Sequence, residues 1–216
     1  LGREGWMFLR ASVFPDVRRF DAMSGDRRRV FARVRDLVRA AGAELVVSLV
    51  PDKARIYPEF AFKEGVISAS KEPLYRRAVQ ELRDEGIAVV DMMVGMAAAR
   101  AAAPDQLRYY YRDSHWRAVG ALIGAQAVSA TIEALPAAAG LAPRNATELG
   151  ARTSIRGLGG LVPVLGLLSY EKPHGEGRLH SLPMSLLTAG LTEEFDSYSV
   201  VMRAGGRPIS PLVDDL

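Results

Sequence analysis

Asp113 and His115 stand two residues apart in Leu107-Arg108-Tyr109-Tyr110-Tyr111-Arg112-Asp113-Ser114-His115-Trp116, amid aromatics and arginines. A carboxylate beside an imidazole fixes its tautomer and supports it as a general base, which is two thirds of a Ser-His-Asp site. Local geometry limits where such a pair can work. On a helix, residues two apart point about 200° away from each other, whereas in a loop or at a strand end they can face one side. The stretch follows a loop signal, Ala103-Pro104-Asp105, and precedes an apolar run from Val119 to Leu135 that reads as a helix, so a loop is expected to carry the pair. Two other readings compete. An isolated Asp-x-His is commonly a surface loop, with aromatics packing that loop onto the core. Metal binding is the other: besides His115 there are only His174 and His180, there is no cysteine, and no spacing such as His-x-x-x-His occurs. No metal and no cofactor is assigned.

The 216 residues suit one sizeable domain or at most two small ones. An apolar fraction of 49% and a charged fraction of 25% describe an ordinary globular chain. The net charge of +3 gives no ground for a nucleic-acid partner, and none is expected. Lysine occurs only at 53, 63, 71 and 172; the arginine and alanine content reads as a GC-rich genome. Absence of cysteine excludes disulfides and a thiol nucleophile. No stretch reaches the length of a transmembrane helix. The first residues, Leu1 to Trp6, show no signal-peptide pattern and no initiator Met, so an export segment or anchor is expected to have been removed.

The elements that must position the pair follow from periodicity. Gly2 to Leu9 reads as a turn running into an apolar, strand-like segment. Ser24 or Asp26 opens a helix whose Val30, Phe31, Val34, Leu37, Val38 and Ala41 make one apolar stripe, with the arginines as a solvated outer face. Glu44 to Val50 and Ile87 to Asp91 are continuous apolar runs of buried-parallel-strand type. An amphipathic helix, Pro73 to Glu85, lies between them, and a short alanine-rich helix, Met92 to Ala103, follows. Strand, helix, strand with short links favours a parallel α/β arrangement. Lys53 and Arg55, just past the first strand, stand where functional groups collect in open α/β sheets. Ala137 to Arg156 reads as loop, and Ser197 to Ala204 as a strand.

Three segments together resemble the SGNH-hydrolase-like domain of the alginate O-acetyltransferase family that contains AlgX and AlgJ. They are Gly2-Arg3-Glu4-Gly5-Trp6-Met7-Phe8-Leu9; Val50-Pro51-Asp52-Lys53 with Tyr57-Pro58-Glu59; and Tyr109 to Trp116 with the Gly120-Ala121 that follows. The resemblance covers residues 2–135 best. It implies an SGNH-hydrolase-like (flavodoxin-like) α/β fold, a parallel sheet with helices on both faces, as a single domain over residues 1–216. It implies an exported, periplasmic protein that moves acetyl groups onto hydroxyls of an exopolysaccharide, with a membrane acyltransferase as acetyl donor. Asp113 and His115 carry over as acid and base, with Trp116 behind the histidine. Lys53, Arg55, Tyr110, Arg112 and Trp116 are the candidates for binding substrate. The family's serine follows an apolar strand in a Gly-Thr-Ser or Gly-Asp-Ser turn. Here the local match is Phe195-Asp196-Ser197, which lacks the glycine, and Pro211 to Leu216 resembles the segment leading into the nucleophile strand. Ser197 and a serine past Leu216 both stand as placements. So do two functional classes: an acetyltransferase or esterase, and a non-catalytic member of a polysaccharide assembly that binds glycan or a partner.

Overall fold

In the computed structural model, which describes residues 2–139, 146–159, 161, 192–204 and 207–209, a turn of 3-10 helix at Arg3–Gly5 opens the chain. Trp6, Met7 and Phe8 then run buried through the core in irregular backbone, not in the strand expected for them. Three helices follow: α1 (Arg10–Val13), α2 (Val17–Ala22) and α3 (Ser24–Ala40). Asp16 caps α2 by accepting from Arg19 N–H at 2.9 Å. Neither Ser24 nor Asp26 caps α3. Met23 occupies that position, and Ser24 Oγ instead bonds Glu81 at 2.6 Å.

Strand β1 (Val46–Leu49) and strand β2 (Ala88–Asp91) pair in parallel, from Val46↔Ala88 to Leu49↔Asp91. Parallel neighbours need a crossover. It is built from α4 (Lys53–Ile56), α5 (Pro58–Ala61) and α6 (Glu72–Asp84). An aspartate at or just past the end of each strand caps the next helix. Asp52 accepts from Arg55 N–H at 3.1 Å, and Asp91 accepts from Met93 N–H at 3.1 Å at the start of α7 (Met92–Ala102). The Tyr75 hydroxyl from α6 shares its one hydrogen between Leu49 C=O at 2.7 Å and the Asp91 carboxylate at 3.0 Å, tying the two strand ends together. Helix α8 (Ala118–Glu133) packs on α7 and β2. This is an α/β fold, with helices around a parallel pair.

The helix α3 turns its stripe the other way from expectation. Val30 and Leu37 are 60% and 53% exposed. Arg27 and Arg35 turn toward α6 instead, Arg27 bonding Glu81 at 2.9 Å and Arg35 reaching the Glu85 carbonyl, with Arg28 bonding Glu85 at 2.6 Å from the rim; Arg29, Arg33 and Arg39 keep the exposed face expected of them. Only Phe31 packs on the apolar cluster of Val79, Leu82, Ile87 and Val89. The pairing partners on α6 are invisible to a periodicity count, so the stripe alone misplaced the helix's inner face.

A second, antiparallel sheet is formed by β3 (Ala146–Leu158), β4 (Thr192–Ala204) and β5 (Arg207–Ile209). β3 falls mostly on the stretch expected to be loop. Its register runs from Ala146↔Arg203 to Leu158↔Thr192, with an irregularity between Leu149 and Arg152. Strand propensity depends on the partner a segment meets, and a long ladder with β4 supplies one. Residues 162–191, including most of the apolar Leu158–Leu168 run, lie outside the described residues. No helix among the described residues is long and apolar enough to cross a membrane.

Candidate active site

The Asp-x-His stretch folds back on itself. Tyr109 and Trp116 face each other in an antiparallel bridge, Tyr110 N–H donates to His115 C=O at 3.2 Å, and Arg117 N–H donates to Arg108 C=O at 2.8 Å. Gly120, in the first turn of α8, allows this return: a Cβ there would lie 2.6 Å from Arg108 O and 3.1 Å from Trp116 Cβ. The result is a tight loop whose tip carries Asp113, Ser114 and His115.

At that tip one carboxylate oxygen, Asp113 Oδ1, lies 2.5 Å from His115 Nδ1 and also accepts the His115 backbone N–H at 2.9 Å. Asp113 is buried, while the His115 side chain is 80% exposed. This asymmetry suits the two groups. A buried carboxylate satisfied by hydrogen bonds orients the ring, and with Nδ1 donating to it, Nε2 is left as the basic nitrogen on the outer side.

The loop has no sheet or long helix to hold it, so its backbone groups are held one by one. Met7 N–H donates to Tyr111 C=O at 3.1 Å, and Leu161 N–H to Arg112 C=O at 3.1 Å. Gly159 lets the chain pass there: a Cβ would fall 2.3 Å from Arg112 O. Glu193, from β4, accepts Tyr111 N–H at 2.5 Å and Arg112 N–H at 2.8 Å. Burial pushes its carboxyl above the usual range, against the two backbone donors and Lys53. Lys53 reaches the other side of the loop, with Nζ donating to the carbonyls of Tyr111 at 2.7 Å and Asp113 at 3.1 Å.

A cavity of about 380 Å³ opens at this point. His115, Ser114 and Trp116 form one wall; Phe8, Leu9 and Ser12 another; Val50, Pro51, Asp52 and Lys53 bring in the end of β1. The floor is fixed by Tyr109, whose hydroxyl donates to Pro51 C=O, and by Asp52, which takes both carboxylate oxygens to Lys71 Nζ at 2.8 Å. The site thus stands at the carboxyl end of a parallel strand, where open α/β sheets place ligands.

The candidate residues divide. His115, Trp116 and Lys53 line this cavity, with Asp113 buried and bonded to the His115 ring. Arg112 is next to the pair, with its guanidinium over the Tyr111 ring at 4.9 Å. Arg55 and Tyr110 are buried and do not line the cavity. The Arg55 guanidinium donates to the carbonyls of Glu72 at 3.0 Å and Lys71 at 2.8 Å. The Tyr110 hydroxyl exchanges bonds with the backbone of Asp196, accepting from its N–H at 3.0 Å and donating to its carbonyl at 3.2 Å. Ser197 lies inside β4, in register with Thr153, and not at a strand-to-helix turn. Asp52 and Glu193 were not singled out as site residues; Glu193 acts across 81 and 82 residues of sequence, and no local pattern marks it. Among the described residues no three His, Cys, Asp or Glu side chains gather as around a metal ion, and His174 and His180 lie outside those residues.

Residues 1–175 match the family described as SGNH hydrolase-like domain, acetyltransferase AlgX. The chain is 31% identical over 132 residues to the probable alginate O-acetylase AlgJ of Pseudomonas putida, a match covering 61% of this chain and 33% of the relative. The chain therefore spans about a third of the length of the curated relatives it matches. Among solved structures, the O-acetyltransferase domain of Pseudomonas putida AlgJ aligns with a TM-score of 0.66 at 24% identity, over 94% of this chain and 65% of that one. Pseudomonas aeruginosa AlgX aligns with a TM-score of 0.54 at 19% identity, over 86% of this chain and 38% of that one. Both structural likenesses are likenesses of fold.

Proposed function

The chain belongs to the AlgX family of SGNH hydrolase-like domains, and on that premise we propose that it is an O-acetyltransferase acting on hydroxyls of a bacterial exopolysaccharide of the alginate kind. The observation that carries the reading is the pair itself: a buried Asp113 carboxylate holding Nδ1 of an exposed His115 at the mouth of a cavity.

The chemistry follows from that geometry. A serine hydroxyl attacks the carbonyl carbon of an acetyl donor, and its proton passes to His115 Nε2. The imidazolium, stabilised by Asp113, returns the proton to the departing alkoxide of the donor. A sugar hydroxyl then attacks the acetyl-serine, again giving its proton to Nε2, and the serine oxygen leaves with that proton. One ester is broken and one formed in each half, with no net consumption of protons. Ser197 is the local sequence match for the nucleophile, although it lies inside β4 rather than at a strand-to-helix turn, and a membrane acyltransferase is the acetyl donor proposed with it. Phe8, Leu9, Val50 and Trp116 give the cavity an apolar wall beside His115, against which the acetyl methyl group would pack.

Acetyl trapping tests this. The protein is incubated with an activated acetyl ester, its intact mass is measured, and the adduct is mapped to a peptide, with His115→Ala in parallel. A single acetyl on a serine, absent from His115→Ala, is expected. No adduct on folded protein would contradict acetyl transfer and leave a glycan- or partner-binding role.

A further inference from the structure

Lys53 is the first residue of α4, follows the Asp52 cap, and is 4% exposed. Its Nζ donates to the carbonyls of Met7 at 2.7 Å, Tyr111 at 2.7 Å and Asp113 at 3.1 Å. An ammonium has three N–H donors, so each one has an acceptor. The rings of Trp6 and Phe8 flank it, with centroids 4.8 and 4.9 Å away. The charged groups facing it are Glu193 from β4 and Asp113 and Arg112 from the loop.

A cation in such a place is costly to bury. Packing alone does not call for it, since a methionine of similar length would fill the same space between two aromatic rings. What distinguishes this ammonium is the set of groups it holds. Two of its three acceptors belong to the Asp-x-His loop, one of them the carbonyl of Asp113 itself. The third, Met7, is already bonded to that loop through its own N–H to Tyr111.

We infer that Lys53 is the positioning residue of the Asp113–His115 pair: by pinning the carbonyls of Tyr111 and Asp113 against Met7, it keeps the Asp113 carboxylate on the Nδ1 side of the His115 ring. This rests on the reading of the pair as acid and base. Lys53 touches no reacting atom in it. Only the charged form can hold all three carbonyls, because a neutral amine has two N–H groups and must release one. Burial, opposed by Glu193 and Asp113 and aided by Arg112, pushes Lys53 down to about 7, so the third bond is in play near neutrality.

Nitrogen-15 NMR of the His115 ring at neutral pH tests the inference, with His115→Ala used to assign the signals. Wild type should show the Nδ1-protonated tautomer. Asp113→Ala should lose it, and Lys53→Met should lose it in the same sense although Asp113 is intact. A folded Lys53→Met with an unchanged tautomer overturns the positioning role. An unchanged tautomer in Asp113→Ala as well would sink the acid–base reading beneath it, so the two failures are distinct. Should Lys53→Met not fold, wild type alone decides. The Lys53 Cε carbon and the His115 ring nitrogens are followed from neutral to alkaline pH. A step in the His115 signals at the Lys53 midpoint, separate from the ring's own protonation, is expected. Its absence overturns the proposal.

Discussion

At the scale of single residues, the pair was legible because its two members are neighbours in sequence and only a loop lets them face one side. The groups that hold it were not. Glu193 and Lys53 reach the loop across 81 and 60 residues, so their pairing is a product of the fold and leaves no local pattern. The place of Lys53 after β1 suggests a ligand for substrate, whereas its ammonium is bonded to three carbonyls inside the protein. If Asp113 sets the tautomer of His115, Asp113→Asn should lower the rate of acetyl-ester turnover about 10⁴-fold, the size such a change has in a serine triad, with the fold intact by circular dichroism. The same residues fix a pH dependence of stability. Lys53 in the folded chain is pushed down to about 7 from 10.5. The unfolded chain therefore binds the proton that the folded chain releases between those values. The cost of burying this group falls as pH rises from about 7 toward 10, so its contribution makes stability increase with pH. Denaturant midpoints at neutral and at mildly alkaline pH should rise in wild type and flatten in Lys53→Met; a parallel rise in both would remove Lys53 as the source.

At the scale of elements, β1, α6, β2, α7 and α8 were readable within a few residues, because each is an apolar run or stripe of the right period ended by a cap or a turn. Two elements were not. β3 is small and polar and becomes a strand only against β4. In α3 a true stripe pointed the wrong way, since Arg27, Arg28 and Arg35 find Glu81 and Glu85 on and just after α6. The consequence is measurable. Leu37→Ala on the exposed stripe should change stability by less than about 0.5 kcal/mol. Leu82→Ala, buried between α6 and β2, should cost about 2–5 kcal/mol. Equal costs in thermal or chemical melts would mean that α3 is packed by its apolar side after all.

At the scale of the whole molecule, two sheets meet at one loop. The parallel pair supplies the cavity floor through Pro51, Asp52 and Lys53. The antiparallel sheet supplies Glu193 beneath the loop and Asp196 beside it, where Asp196 pairs with Arg117 and, at 2.7 Å, with Arg152. Burial works against the Asp196 carboxylate, but hydrogen bonds from Arg152 and Arg117 outweigh it and hold it below the usual range. Its contribution is therefore present above the ordinary carboxylate range and lost as pH falls through its folded value. Asp196→Asn should loosen β4 from the loop. Faster amide exchange is expected along β4 and at Tyr111 and Arg112, together with slower acetyl turnover. The most direct test of the account is the turnover of an activated acetyl ester by wild type, His115→Ala and Asp113→Asn under one set of conditions. The account predicts measurable turnover in wild type and a collapse in both variants. Equal turnover in all three, or none in folded wild type, would contradict it.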